Sequence, residues 1–251
     1  PLTKDMMFYA KWTQPETTSA FIVAGIPVTS ENQNDVLGNG AVSYDPESKT
    51  LILNNLHLTY PGTVIQTKEV DAIIQVLGKN ELVNRMERGD WITGIHVKAD
   101  GTFTGNGTLT ITNRNEWAGT NMGIFSTGGI VINGPTIIAK ADRANEGNNV
   151  QHGSFGIRGY NPLEDGSYSY SLSFGPNGGT LEASGYKEAV AMKWARKTKD
   201  LDYIYSGFLG STEYDGDMEQ VNAPIKWENT KNYKHIRIEI APATSSANDS
   251  E

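Results

Sequence analysis

Five stretches of this chain repeat one pattern: alternating apolar residues, a tight Gly/Asn turn, then alternating apolar residues again. They are Leu51/Leu53 with Asn54-Asn55 and Leu56/Leu58; Ile74/Val76 with Gly78-Lys79-Asn80 and Leu82; and Phe103 with Gly105-Asn106-Gly107 and Leu109/Ile111. The last two are Ile130/Ile132 with Asn133-Gly134-Pro135 and Ile137/Ala139, and Leu172/Phe174 with Gly175 to Gly179 and Leu181/Ala183. The first apolar residue after each turn falls at 56, 82, 109, 137 and 181, giving intervals of 26, 27, 28 and 44. A constant period of this size marks a repeat architecture. The 44-residue step reads as one repeat carrying an insertion, over about 142–170. A second marker, a small residue before a branched apolar one, recurs as Ala72-Ile73, Gly94-Ile95, Gly123-Ile124, Gly156-Ile157 and Ala189-Val190.

Period-two alternation makes these segments strands. No amphipathic crossover helix follows any of them, which counts against a TIM barrel and a leucine-rich repeat. A propeller blade needs about 40 residues and four strands. A repeat of about 27 residues with two or three short strands and Gly/Asn corners fits one coil of a parallel β-helix. The fold class expected is therefore all-β, a single-stranded right-handed parallel β-helix with an N-terminal cap and a C-terminal insertion and cap. Equivalent side chains would stack about 4.8 Å apart, and five or six coils would form a rod roughly 25–30 Å long. Leu56, Leu82, Leu109, Ile137 and Leu181 are expected in one inward stack.

The ends break the period, as the ends of a solenoid must to protect their edge strands. Residues 1–50, with FIVAGIPV and a hairpin bend at Asp45-Pro46, read as the N-terminal cap. Residues 51–192 hold the repeats, and 193–243 hold a second insertion (about 193–232) and a final strand, HIRIEI. The polar segment 244–251 reads as a disordered tail. The whole is one structural domain.

Several function classes drop out on composition. There is no Cys among 251 residues, hence no disulfide framework, thiol nucleophile or thiolate zinc site. Formal charge is −8, from 21 Lys+Arg against 29 Asp+Glu, so a nucleic-acid partner is not expected. No apolar run approaches a membrane span. The chain opens at Pro1 without an apolar signal core and reads as a processed or truncated product, so any export signal would lie upstream.

The stretch from FIVAGIPVTSENQNDVLGNGAVSYDPESKTLILNN through GNGTLTIT, GGIVINGPTIIAKA and GGTLEASG resembles a family of secreted bacterial repeat proteins. These are described as carbohydrate-binding-domain-like and are frequent in gut Bacteroidetes and Firmicutes. The resemblance covers about residues 20–190. Its most distinctive part is V-T-S…D-V-L-G-x-G-x-V-S-Y-D…T-L-x-L, from Val28 to Leu53. It implies a right-handed parallel β-helix and export to the cell surface, often as a lipoprotein, here anchored through a segment upstream of Pro1. In some relatives it implies polysaccharide binding. It brings no catalytic motif, and it does not reach residues 193–232.

No Walker loop, G-x-S-x-G elbow, H-E-x-x-H or complete G-x-G-x-x-G is present. His57, His96, His152 and His235 lack ligand spacing, and Gly105-x-Gly107 reads as a corner. No catalytic residue, metal ligand or cofactor is nominated. Asp215, Asp217 and Glu219 alternate in a way that could hold Ca²⁺, with a solvated acidic loop as the alternative. A glycosidase needs two carboxylates at a defined separation, and 29 candidates single out none. The densest local feature is KEAVAMKWARKTK, which sets Lys193, Arg196 and Lys197 around Trp194, with Tyr203 and Tyr205 shortly after. Sugars stack their C–H faces on aromatic rings, and acidic sugars are drawn to Lys or Arg. These six residues are the candidate carbohydrate site. The alternative is that they pack the insertion against the coils. The expected function is a non-catalytic cell-surface module binding polysaccharide. The alternatives are a purely structural or adhesive scaffold and, third, a polysaccharide lyase or glycosidase.

Overall fold

The computed structural model describes residues 21–68, 71–86, 91–114, 119–142, 153–159, 171–194, 206–225 and 227–243. The protein is all-β, built of parallel strands stacked in three sheets, with one short helix, Trp227–Thr230, among the described residues. Through the repeats the chain visits the three sheets in constant rotation. Sheet I takes Thr50–Asn54, Ala72–Leu77, Gly101–Gly105, Ile130–Asn133, Ser171–Phe174 and Lys193–Trp194. Sheet II takes His57–Tyr60, Lys79–Asn84, Thr108–Asn113, Thr136–Ala141 and Gly179–Gly185. Sheet III takes Ile65–Thr67, Trp91–Val97, Thr120–Ser126, Gly153–Gly159 and Glu188–Ala191.

Tight turns lead from sheet I to sheet II, and backbone sterics explain their residues. Asn55, Gly78, Gly105 and Gly134 all have positive φ, a region that L side chains other than Asn and Asp rarely enter. At Gly105 a Cβ would also lie 2.3 Å from the Val76 carbonyl oxygen of the round below.

Inward residues stack in register from one round to the next. Leu51, Ile74, Phe103, Ile132 and Phe174 form one column in sheet I. Ile65, Ile95, Ile124, Ile157 and Val190 form another in sheet III. All ten are buried. The marker pair expected at Ala72-Ile73 belongs elsewhere: Ala72 pairs with Gly101 in sheet I, and Val64-Ile65 occupies the equivalent place in sheet III.

In sheet II the expected single stack divides into two adjacent columns. Leu109, Ile137 and Leu181 are in register, but Leu82 pairs with Ile111, two residues further along. The position level with Leu109 is held by Asn80. Asn80 Oδ1 accepts the Leu56 N–H at 2.9 Å, and its Nδ2 donates to the Leu77 carbonyl at 2.9 Å. A polar residue thus fills an inward site by satisfying backbone groups of the corner. Because a strand alternates with period two, the slip of two leaves Leu82 on the buried face.

The 44-residue step also proves to be different from a single insertion. Gly153–Gly159 lies inside it and pairs in parallel with both Thr120–Ser126 and Glu188–Ala191. The additional length therefore divides on either side of a regular strand.

Antiparallel strands flank the parallel stack at both ends. Phe21–Val23 pairs with Ile65–Thr67 and Val42–Asp45 with Thr50–Asn54, across the bend expected at Asp45-Pro46. At the other end His235–Ile240 runs antiparallel to Gly179–Gly185, followed in sheet II by Ser206–Ser211 and Glu219–Pro224. These strands supply hydrogen-bond partners to sheet edges that would otherwise be open. Residues 1–20 and 244–251, read above as cap and tail, lie outside the described residues.

A charged cluster fastens the C-terminal strands to the outside of sheet II. The Glu182 carboxylate lies 3.3 Å from the Arg237 guanidinium, 3.4 Å from His235 Nε2 and 3.9 Å from Lys140 Nζ. Its hydrogen bond from His235, more than the charges of Lys140 and Arg237, holds its carboxyl below the usual range despite partial burial. A carboxyl depressed on folding adds stability above its unfolded value, 4.5 here, and that stability is lost as pH falls through the folded value. The melting temperature is therefore expected to fall below about pH 4.5, and Glu182→Gln to make that fall shallower. Parallel melts of both proteins from pH 3 to 7 check this; identical slopes would refute it.

Candidate functional site

The outer face of sheet III carries aromatic and cationic side chains. Its origin is local. Four strands of this sheet hold a small residue (Gly94, Gly123, Gly156 or Ala189) just before the inward Ile or Val. Gly94 and Gly123 interrupt the regular pairing: Thr93 pairs with Met122 and Ile95 with Ile124. Two consecutive residues then face inward, so the residues on either side both face outward, a bulge-like change of parity. A side chain at Gly156 is excluded, since its Cβ would lie 2.7 Å from the Ala189 carbonyl oxygen and 2.8 Å from that of Ala139.

This parity produces two outward columns. One contains Thr93, Met122, Phe155 and Glu188; the other contains Gln66, His96, Phe125, Arg158 and Ala191. Met122, Phe125, Phe155 and Ala191 are buried together in a cluster separate from the main core. Trp91 stands at its edge with 49% of its surface exposed, more than any other large apolar residue described. Its ring meets Phe125 edge-on, with centroids 5.7 Å apart. The Arg158 guanidinium lies 5.0 Å from the Trp91 ring centroid and 4.7 Å from that of Phe155, and Lys187 Nζ lies 5.6 Å from Phe155. Contacts of this kind hold a cation over a ring and orient both. His96 packs on Phe125 at 5.1 Å; burial, and secondarily the charge of Lys98, push its imidazole below the usual value. It is thereby kept neutral near pH 7.

A cleft of about 250 Å³ opens at the corner where sheet III passes into sheet I. Asp71, Asp100, Gly129 and Ser171 line one side, and Ile73, Thr102, Val131 and Ser173 line the other.

Of the residues expected from sequence to bind carbohydrate, Lys193 and Trp194 form the last strand of sheet I. Their backbones pair with Ser171 and Leu172, which sets Trp194 in the register of Ala72, Gly101, Ile130 and Leu172. Arg196, Lys197, Tyr203 and Tyr205 lie outside the described residues. Asp215 of the acidic run is engaged by Lys140 Nζ at 3.5 Å and by the Ser184 hydroxyl at 3.4 Å. Among the described residues no group of three or more His, Cys, Asp or Glu side chains is placed to hold a metal ion. The sheet III face was missed in the sequence, although its signal is there: Thr93/His96, Met122/Phe125 and Phe155/Arg158 each bracket a Gly-Ile pair.

Comparison with protein-family models, with curated proteins and with solved structures finds no match to this chain. No helix among the described residues is long and apolar enough to cross a membrane.

Proposed function

We propose that this chain winds as a right-handed parallel β-helix and acts as a non-catalytic, cell-surface bacterial module that binds polysaccharide on the outer face of sheet III. The winding is supported by the constant rotation through three sheets, and the hand by the right-handed preference of connections between parallel strands. The sequence resemblance supports export to the cell surface.

The observation that carries the binding reading is Trp91 itself. It is half exposed, yet fixed by an edge-to-face contact with Phe125 and by the Arg158 guanidinium lying over its ring. A pyranose presents C–H bonds that stack on an indole, and a ring already fixed in place loses little freedom on binding. The test is retention on a glycan array and on immobilised polysaccharides at physiological salt. Trp91→Ala is expected to weaken binding by about 1–3 kcal/mol, the scale for stacking on an aromatic ring, with little change in melting temperature. Retention that ignores Trp91→Ala but is lost on Trp194→Ala would move the site to the C-terminal segment. Retention on no glycan would leave a structural or adhesive scaffold.

A hydrolase is the second reading, because Asp71 and Asp100 share one cleft. Glycosidases set their two carboxyls on opposite sides of the scissile bond. Here the pairing of Ala72 with Gly101 places the two Asp residues at one register position in adjacent rounds, side by side. Binding without turnover is the outcome expected in reducing-end assays.

A further inference from the structure

We propose that the cleft at the corner between sheets III and I is a subsite for a single neutral, hydroxyl-rich pyranose ring. This rests on the carbohydrate reading above but uses none of the residues around Trp91. The cleft, about 250 Å³ and open to solvent, has room for a sugar ring.

The geometry comes from register. Asp71, Asp100, Gly129 and Ser171 precede residues that pair in sequence across sheet I, so they rise up one edge of the cleft at about 4.8 Å per round. Ile73, Thr102, Val131 and Ser173 pair directly and form the outward column beside them. Asp100 Oδ1 accepts the Gly129 N–H at 2.6 Å, which fixes the direction of that carboxylate. The missing side chain at Gly129 leaves the space: a Cβ there would lie 3.1 Å from Asp100 Oδ1 and 3.6 Å from the Ser171 carbonyl oxygen. Ser173 is 2% exposed, and its hydroxyl reaches the Ile130 carbonyl only at 3.5 Å.

These groups select a ligand by hydrogen-bond polarity. Ionised carboxylates only accept, whereas Ser and Thr hydroxyls both donate and accept. A ligand must therefore bring donors to Asp71 and Asp100 and groups of either kind to Thr102, Ser171 and Ser173, as an array of sugar hydroxyls does. Ile73 and Val131 offer branched apolar surface to the C–H face of the ring. A uronate or sulfate would add a third negative charge beside the two carboxylates, an unfavourable contact.

The experiment is saturation-transfer NMR and calorimetry on the full chain, with methyl hexopyranosides and the matching methyl hexuronides as probes. At least one neutral glycoside should bind, with the matching uronide about tenfold weaker or worse. Gly129→Ala, which fills the cleft, and Asp71→Asn should each weaken the neutral glycoside about tenfold while melting temperatures show the fold retained. Failure of every glycoside to bind, equal binding of the uronides, or indifference to both cleft variants would overturn the proposal. So would binding that requires Ca²⁺ and is abolished by EDTA, or release of methanol from the glycosides. Polysaccharide retention lost on Trp91→Ala but untouched by Gly129→Ala would refute the cleft alone. The reverse pattern would refute the Trp91 site and leave the cleft standing.

Discussion

A chain carrying Asn113→Asp is expected to be destabilised by about 3–5 kcal/mol at neutral pH, the cost of an uncompensated buried charge. Asn113 is fully buried where sheet II turns into sheet III. Its Nδ2 donates to the Ile92 carbonyl at 3.0 Å and the Met122 carbonyl at 2.9 Å, in two successive rounds of sheet III. Asn121 continues the bridge, donating to the carbonyls of Asn113 and Asp142 at 3.1 and 2.8 Å. Asn84 does the same one round below, reaching the Thr93 carbonyl at 2.9 Å. These amides join sheet II to sheet III through side-chain hydrogen bonds. A carboxylate of the same shape would replace two donors with an acceptor facing two carbonyls. Burial and those carbonyls would raise its pKa above the unfolded value. The missing stability would then return as pH falls below that raised value, when the protonated acid can donate once. Denaturant melts of both proteins at pH 7 and pH 4 check this. A variant as stable as the parent at pH 7 would show that the corner amides do not join the sheets.

Leu109→Ala is expected to cost about 2–5 kcal/mol, as for other leucines truncated in a packed core. Leu109 is fully buried and sits in register between Asn80 and Ile137, in the middle of the stack. Both neighbours are fixed by strand pairing, so the space left by the side chain cannot close by local collapse. Urea unfolding should show a lower midpoint with an unchanged slope. A cost below about 1 kcal/mol would mean that the rounds can slide together to fill the cavity.

Much of the architecture was legible because a stacked repeat writes its geometry into the chain many times over. Each round needs apolar residues at alternate positions and a residue tolerant of positive φ at the corner, so Leu109/Ile111 and Ile137/Ala139 recur around Gly105 and Gly134. The slip at Leu82 has a physical cause: Asn80 satisfies corner backbone groups from an inward site, and a rule that counts only apolar residues passes over it. The sheet III face was less legible because Gly94 and its equivalents shift the parity of the strand. Strict alternation puts Thr93 on the same face as Ile95, whereas the structure sets it outside with His96.

The Asp71/Asp100 cleft left no local signature, since its residues come from four rounds and meet only when the rounds align. The sequence by itself determined the period, the all-β character and the strand faces wherever alternation was unbroken. These follow from local sterics and from the need to bury one side of each strand. Tertiary structure alone decided the register between rounds, the cluster around Trp91 and Arg158, and the cleft. Those depend on which residues lie level across rounds some 22 to 44 residues apart, and pairing of backbones, not any local preference, sets that alignment.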